Sequence, residues 1–172
     1  MTANQQLGVG VLGVGALALI VKRGLMPLPA STPPLVGTVE TWEGFDLSPY
    51  GGPTSYPQPI QQMAIAIAKQ EGFYVTGSIP QRANNPGDLK IPNTSTLPGT
   101  SITAFQSVSA GWDALYHQLM LIVTGQSSYY NLDMTIEQMS RVWTVTQQQP
   151  WASNVASQLG VSTQAPLWQV LT

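Results

Sequence analysis

The sequence contains no cysteine and very little charge. Without cysteine the chain has neither a disulfide framework nor a thiolate nucleophile. Charged residues make up 8% of the 172 residues, whereas about 25% is usual for globular proteins. The formal net charge is -2, so the chain lacks the basic surface that nucleic-acid binding normally requires. We therefore predict no nucleic-acid partner, and the scarcity of charge suits a protein packed among others in an assembly.

Groups that could carry catalysis, other than carboxylates, are also scarce. The single histidine, His117, lies in the middle of a predicted helix, and we interpret it as structural rather than as part of a Ser-His-Asp triad. No His, Cys, Asp or Glu residues have the spacing of a metal site. We predict neither a metal site nor a cofactor.

The first part of the chain is apolar and then rich in proline. Residues 7–21 form an uncharged apolar run that is followed, not preceded, by Lys22 and Arg23, which is the wrong order for a cleaved signal peptide. As a helix the run spans about 22 Å, short of the roughly 30 Å hydrocarbon core. It is either a membrane anchor or an apolar packing segment. We predict an anchor or transmembrane segment over 1–24, a Pro/Gly-rich linker over 25–58 and one folded domain over 59–172.

The predicted domain is mainly α, in the α+β class, with a small irregular β element. Apolar residues at helical spacing follow Pro59. Thr135 and Gln138 form a capping box, and Gly125 and Gly160 are suited to helix ends. The predicted helices run from Pro59 to about Gln70, from a Ser109 cap to Val123, from Thr135 to Trp143, from Pro150 to Leu159, and from Ala165 to Leu171. Residues 91–105 are predicted to form a loop or short β-ribbon.

The segment from Glu71 to Leu89 is the candidate site. Glu71 ends an apolar helix, where the negative end of the helix dipole disfavours an ionised carboxylate. The neighbouring Phe73 and Tyr74 are expected to lower the local dielectric constant, which favours a carboxylic acid that holds its proton near neutral pH. From these residues alone the alternative stays equally open: an exposed glutamate at a helix end, followed by an ordinary Asn-Pro-Gly turn at 85–87.

Several motifs in this segment and beyond it occur in a known order. They are the Glu71-Gly72-Phe73 helix end, the Gly77-Ser78-x-Pro80 link, Arg82-x-Asn84-Asn85-Pro86-Gly87-x-Leu89, Ala110-Gly111-Trp112 and Leu159-Gly160-Val161. In order and spacing the chain, over residues 60–171, resembles the small lysozyme-like domains of bacteriophage virion proteins and prophage-encoded lytic transglycosylases. The resemblance implies a lysozyme-like fold, with Glu71 as the single catalytic acid acting on peptidoglycan.

Counting carboxylates favours a one-acid mechanism. Glycoside hydrolases ordinarily use two carboxylates, and Asp88 is the only other one in the motif. Related sequences commonly have an amide at that position, so we do not assign Asp88 as a second acid. The residues expected to bind the glycan, or to hold the loop, are Tyr74, Arg82, Asn84, Asn85 and Trp143. Trp143 occupies a position where the resemblance leads us to expect a tyrosine, and it offers an indole N–H instead of a phenol.

The resemblance implies a virion-associated lytic transglycosylase that cleaves the β-1,4 bond between MurNAc and GlcNAc and so aids delivery or release of a phage genome. Its partners would be glycan strands in the periplasm, other virion proteins and, through residues 7–21, a membrane. Hydrolysis is a further possibility for the same site. The alternative class is a structural virion or membrane protein whose lysozyme-like domain binds glycan or packs in the shell without cleaving anything.

Overall fold

Six helices make up most of the part of the chain that can be described. The structure is a computed structural model, and it describes residues 55–172. The helices are α1 (Gln58–Gln70), α2 (Ile79–Arg82), α3 (Val108–Val123), α4 (Ile136–Trp143), α5 (Gln148–Gln158) and α6 (Leu167–Leu171). The prediction of a mainly α domain is confirmed. The predicted anchor over 1–24 lies outside the described residues, as does all of the predicted linker except its last four residues.

The helix α1 is the centre of the fold, because α3, α5 and α6 all pack against it. Its apolar stripe, Ile60, Met63, Ala64 and Ile67, is completely buried, as the spacing of these residues predicts. Burial of each large aliphatic side chain contributes roughly 1.5–3 kcal/mol before conformational entropy is counted. The position of α1, and with it the position of Glu71 at its end, is therefore fixed by the core.

The helix α3 touches the loop of the candidate site through Gly111. A Cβ atom at Gly111 would lie 1.8 Å from the carbonyl oxygen of Asn84 and 2.9 Å from Cδ of Pro86. Only glycine allows backbone to approach this closely. On the same helix Trp112 and Leu115 face the core and are buried. The Ala110-Gly111-Trp112 motif thus seats the Asn84–Gly87 turn on α3.

Residues 91–105 form an irregular loop with little β structure, as predicted. Its one isolated antiparallel bridge pairs Thr96 with Thr103. The Thr103 hydroxyl accepts a hydrogen bond from the Ile91 amide at 2.8 Å, and the Thr103 amide donates to the Leu89 carbonyl at 3.0 Å. These hydrogen bonds join the loop of residues 91–105 to the end of the candidate-site segment.

Two predicted helix starts are displaced by two residues. The cap of α3 is Ser107, whose hydroxyl accepts from the Ala110 amide at 3.1 Å, and not Ser109. The helix α5 begins at Gln148, after Gln147 in the left-handed region (φ 53), so Pro150 lies inside its first turn. The capping box of Thr135 and Gln138 is confirmed, with both of its hydrogen bonds present.

Tyr56, near the start of the described residues, makes an aromatic contact with α3. The ring of Tyr56 stacks on Tyr116 of α3, with centroids 4.7 Å apart and planes 12° from parallel. Tyr56 thus packs on the helical part although it falls within the predicted linker. Within residues 55–172 no helix is both long enough and apolar enough to cross a membrane.

Candidate active-site cleft

The end of α1 holds Glu71 in place. The helix ends in a Schellman motif, in which the Phe73 amide donates to the Ala68 carbonyl at 2.9 Å and the Gly72 amide donates to the Lys69 carbonyl at 3.1 Å. This motif needs a left-handed residue directly after the helix, and Gly72 supplies it with φ 78. Phe73 then turns into the core and is 2% exposed. The sequence Glu-Gly-Phe therefore fixes where the backbone of Glu71 lies.

Glu71 lies in a cleft of about 360 Å³. The lining comes from the end of α1, the start of α2, Asp88, the segment after α4 and α5; besides Glu71 it comprises Gln70, Ser78, Ile79, Pro80, Asp88, Thr144, Thr146, Gln147 and Trp151. The described residues that line the cleft include hydroxyl and amide side chains, of Ser78, Thr144, Thr146 and Gln147. A small cleft with a few polar groups and two carboxyl side chains, of Glu71 and Asp88, has the character of a ligand site.

The side chain of Glu71 accepts a hydrogen bond from an aromatic residue far away in the sequence. The indole Nε1 of Trp151 donates to Oε1 of Glu71 at 2.8 Å. Beside this contact, the amide of Asn154 donates to the side-chain oxygen of Gln70 at 2.8 Å. The helix α5 is thereby joined to the end of α1 by two side-chain hydrogen bonds.

The environment of Glu71 favours the protonated acid. The pKa of Glu71 is raised from 4.5 to about 7 as the net result of several causes: burial is the largest and raises it, the Trp151 hydrogen bond lowers it, and the charge of Asp88 makes a smaller contribution that raises it. Trp143 also lowers this pKa, by the smallest of the four effects, although its Nε1 makes no hydrogen bond of normal geometry. A carboxyl group with a pKa near 7 can both donate and accept a proton at neutral pH.

Asp88 is the second carboxylate of the cleft. It is 4% exposed and adopts a left-handed backbone conformation (φ 49), which Asp and Asn tolerate better than most residues. Its amide donates to the Asn85 carbonyl at 3.1 Å, closing a tight turn. The sequence argument gave Asp88 no role, whereas the structure places it on the wall of the cleft that holds Glu71.

Asn85 holds the loop. Its side chain is completely buried and makes three hydrogen bonds of 2.9 Å to main-chain groups, donating to the carbonyls of Leu89 and Thr103 and accepting from the Leu89 amide. Asn85 therefore has no surface with which to touch a ligand. Of its two expected roles, binding the glycan or holding the loop, the structure supports the second.

The other predicted binding residues lie outside the cleft. Asn84 is half-buried and donates to the Phe105 carbonyl at 3.1 Å. Arg82 is exposed and Tyr74 is half-buried against Phe73. Trp143 is 3% exposed, between Tyr130 and Trp151 at centroid distances of 5.9 and 6.0 Å. Trp143 packs against Trp151 and does not line the cleft, and its role in binding substrate stays a prediction.

Sequence reasoning did not identify Trp151 as a site residue. Trp151 falls within the helix predicted from Pro150 to Leu159, and it is 3% exposed. A buried indole N–H requires a hydrogen-bond acceptor, so a buried Trp151 must have one. No local sequence pattern indicates that this acceptor is Glu71, 80 positions earlier. The segment 144–147 was likewise not identified as a wall of the cleft.

Comparisons of the chain with models of protein families, with curated proteins and with solved structures gave no match. No three His, Cys, Asp or Glu side chains within residues 55–172 are grouped so that they could hold a metal ion. Fold and site together define a mainly helical domain with a half-buried glutamic acid, whose pKa is raised to about 7, in a cleft lined by polar and apolar residues.

Proposed function

We propose that the protein is a lytic transglycosylase of peptidoglycan with Glu71 as its acid and base. The observation that carries this proposal is the position of Glu71: it lines an open cleft, accepts a hydrogen bond from Trp151 and has a pKa raised to about 7, chiefly by burial. The order of motifs over residues 60–171 supplies the lysozyme-like class and the substrate. Both remain parts of the proposal.

In the proposed reaction Glu71 is first an acid and then a base. Its proton passes to the oxygen of the glycosidic bond as the bond from that oxygen to C1 of MurNAc breaks. The acetamide of the same sugar stabilises the positive charge that develops at C1. The Glu71 carboxylate then takes the proton from the C6 hydroxyl, and that oxygen bonds to C1 to give a 1,6-anhydro sugar. The acid is restored without any added water.

Clearing of peptidoglycan by the full chain tests the proposal. In a renaturing gel that contains peptidoglycan, the unchanged chain is expected to clear the gel and Glu71→Gln is expected to clear at least 100-fold less, as is usual when a general acid is lost (about 10²–10⁴-fold). Glu137→Gln is the matched control, because Glu137 lies on α4 and pairs with Arg141 at 2.5 Å, outside the cleft. Equal clearing by the unchanged chain and Glu71→Gln would contradict the proposal.

The products distinguish transglycosylation from hydrolysis. Mass spectrometry is expected to find 1,6-anhydro ends on the released fragments. Reducing ends, one water heavier, would instead indicate a two-carboxylate hydrolysis, for which the second carboxylate at hand is Asp88.

A second candidate is a glycan-binding or structural role without cleavage. It is favoured by one observation: none of the described residues lining the cleft is a tyrosine, although the resemblance leads us to expect one beside the acid. In this role the chain sediments with insoluble peptidoglycan, and Glu71→Gln sediments equally, while neither releases soluble fragments. Release of fragments by the unchanged chain excludes this role.

A further inference from the structure

Two side-chain hydrogen bonds join the end of α1 to the middle of α5, and one of them holds a residue of the cleft, Gln70. Trp151 and Asn154 are three positions apart on α5 and therefore lie on the same side of that helix. Trp151 donates to Glu71, and Asn154 donates to Oε1 of the preceding residue, Gln70, at 2.8 Å. Two consecutive residues at the end of α1 are thus each held by a residue of α5.

Of the pair Gln70 and Asn154, only Gln70 lines the cleft. It is half-buried and lies next to Glu71 in the chain, whereas Asn154 is exposed and outside the cleft lining. A glutamine side chain ends in a carbonyl oxygen, which accepts, and an NH₂ group, which donates. Because the oxygen is bound to Asn154, the NH₂ group is the polar end that remains for the cleft, and no acceptor is bound to it within residues 55–172.

Most other side-chain donors in the lining are used inside the fold. The hydroxyl groups of Ser78 and Thr144 donate to main-chain carbonyls at 2.8 and 2.7 Å, and the indole N–H of Trp151 is bound to the acid. Of the described residues in the lining, apart from the two carboxyl side chains, Gln70 and the exposed residues 146–147 keep side-chain donors for a ligand. Gln70 is therefore the donor whose direction the fold fixes.

The fixed orientation of the Gln70 amide indicates the kind of group that it binds. A ligand hydroxyl can donate or accept, so it would pair equally well with either end of an amide that is free to turn. A ligand carbonyl can only accept, and it needs the NH₂ end. An amide whose oxygen is held by a second amide therefore suits a carbonyl oxygen. In a glycan of N-acetyl sugars, that carbonyl belongs to the acetamido group.

We propose that Gln70 binds the carbonyl oxygen of an N-acetyl group on the glycan strand, and that Asn154 is a positioning residue that keeps the NH₂ group of Gln70 turned toward the cleft. The choice of an N-acetylated glycan rests on the proposed function. The role of Gln70 as an oriented donor rests on the hydrogen bond from Asn154 and on the place of Gln70 in the lining.

Binding of chitotetraose, a soluble β-1,4 chain of GlcNAc units, tests the role of Gln70. All chains carry Glu71→Gln, which prevents turnover and keeps an acceptor for Trp151. Gln70→Met retains the side-chain length without the amide, and it is expected to weaken binding by about 3–10-fold in calorimetric titration, as is usual for the loss of one neutral hydrogen bond. Gln158→Met is the matched control, because Gln158 is an exposed glutamine of α5 outside the cleft.

Two outcomes of this titration would overturn the proposal. One is that chitotetraose shows no saturable binding. The other is that Gln70→Met and Gln158→Met bind it with equal affinity.

Cellotetraose provides the comparison for the ligand. It has the same β-1,4 linkages, with a hydroxyl group in place of each acetamido group. In the Glu71→Gln chain cellotetraose is expected to bind more weakly than chitotetraose, and Gln70→Met should narrow the difference. A difference of the same size with and without Gln70→Met would show that Gln70 does not recognise the acetamido group.

Asn154→Asp tests the positioning role. An ionised aspartate can only accept, so its pair with Gln70 survives only if the Gln70 amide turns over and presents its oxygen to the cleft. The affinity for chitotetraose is expected to fall at least as far as in Gln70→Met. Gln158→Glu makes the same change of amide to acid on the same helix, outside the cleft, and is expected to bind as before. Unchanged affinity in Asn154→Asp refutes the positioning role.

A double substitution separates positioning from a general effect on the fold. If Asn154 acts through Gln70, Asn154→Asp is expected to change the affinity little in a Gln70→Met background. A merely structural or electrostatic effect of Asn154→Asp would weaken binding by the same factor in both backgrounds, and that result would also refute the positioning role.

This proposal and the proposed function can fail separately. If the unchanged chain clears no peptidoglycan but Gln70→Met weakens chitotetraose binding as described, the proposed reaction fails and the oriented donor stands. If the unchanged chain clears peptidoglycan and all variants bind chitotetraose alike, the proposed function stands and Gln70 has no such role.

Discussion

Glu71 is subject to opposing influences from its neighbours, and each can be altered by a single substitution. Burial and Asp88 favour the protonated acid, whereas the Trp151 indole favours the carboxylate by donating to it. The pKa of Glu71 is thus set near 7 by a balance of effects. Removal of the Asp88 charge should lower the pKa of Glu71, whereas removal of the Trp151 donor should raise it.

Trp151→Phe removes the N–H donor and keeps most of the aromatic packing against Trp143. The Glu71 pKa is expected to rise, because the carboxylate loses the hydrogen bond that stabilises it. The alkaline limb of the pH profile for clearing, or the Glu71 midpoint in a carboxyl titration, should therefore move to higher pH. Asp88→Asn, which removes a negative charge, is expected to have the opposite effect and to lower the pKa of Glu71.

Trp168→Phe is the control for this substitution. Trp168 lies on α6, is 51% exposed and does not line the cleft, so the pH profile of Trp168→Phe should match that of the unchanged chain. A fall of the Glu71 pKa in Trp151→Phe would mean that burial by the tryptophan ring matters more than its hydrogen bond.

At the scale of elements, the loop from 84 to 89 depends on Asn85. Replacement by alanine leaves the Thr103 carbonyl and the Leu89 amide without the partner that Asn85 gives them, while the Leu89 carbonyl keeps the Thr103 amide. Each buried group without a partner costs roughly 1–3 kcal/mol. Asn85→Ala is therefore expected to lower the free energy of unfolding by about 2 kcal/mol or more, measured by urea denaturation.

Asn154→Ala provides the comparison for Asn85. Asn154 is exposed, and its amide makes one hydrogen bond, to Gln70. Its loss should change the free energy of unfolding by about 0.5 kcal/mol or less, as is usual for a surface residue. Equal losses in the two variants would show that the buried hydrogen bonds of Asn85 do not stabilise the loop.

The sequence predicts those features of the elements that are encoded locally. The capping box at Thr135 and the buried stripe of α1 follow from residues three or four positions apart, and both are confirmed. Where several local choices compete, the prediction fails: Ser107 and Ser109 can both cap α3 by their chemistry, and the cap in the structure is Ser107. Pro150 is permitted anywhere in the first helical turn, so it did not fix the start of α5.

The composition of the cleft could not be predicted, because it depends on contacts between distant segments. Glu71 and Trp151 are 80 positions apart and meet only when α1 and α5 pack together. Asn84 and Asn85 are chemically identical neighbours, yet one is half-buried and the other completely buried. Their difference arises from the turn that places Asn85 beneath the loop, where the carbonyls of Leu89 and Thr103 need donors.

At the scale of the whole molecule, the buried acid makes folding depend on pH. In the unfolded chain Glu71 has its ordinary pKa of 4.5, and in the folded chain burial raises the pKa to about 7. Below pH 4.5 the group is protonated in both states, so its contribution to stability is fully present. Between pH 4.5 and 7 only the unfolded state releases the proton, which favours unfolding. Above pH 7 both states are ionised, and the contribution stays lost.

The expected loss of stability between pH 4.5 and 8 is roughly 3 kcal/mol, since each pKa unit is worth about 1.4 kcal/mol. Urea denaturation of the full chain at a series of pH values measures it. Glu71→Gln cannot ionise, so it should lack this fall and should exceed the unchanged chain in stability at pH 8. Glu137→Gln should retain the fall, because Glu137 lies outside the cleft and its pKa is lowered by Arg141. Parallel curves for the unchanged chain and Glu71→Gln would show that Glu71 ionises as easily in the fold as in the unfolded chain, and no proton would then be available for the proposed reaction.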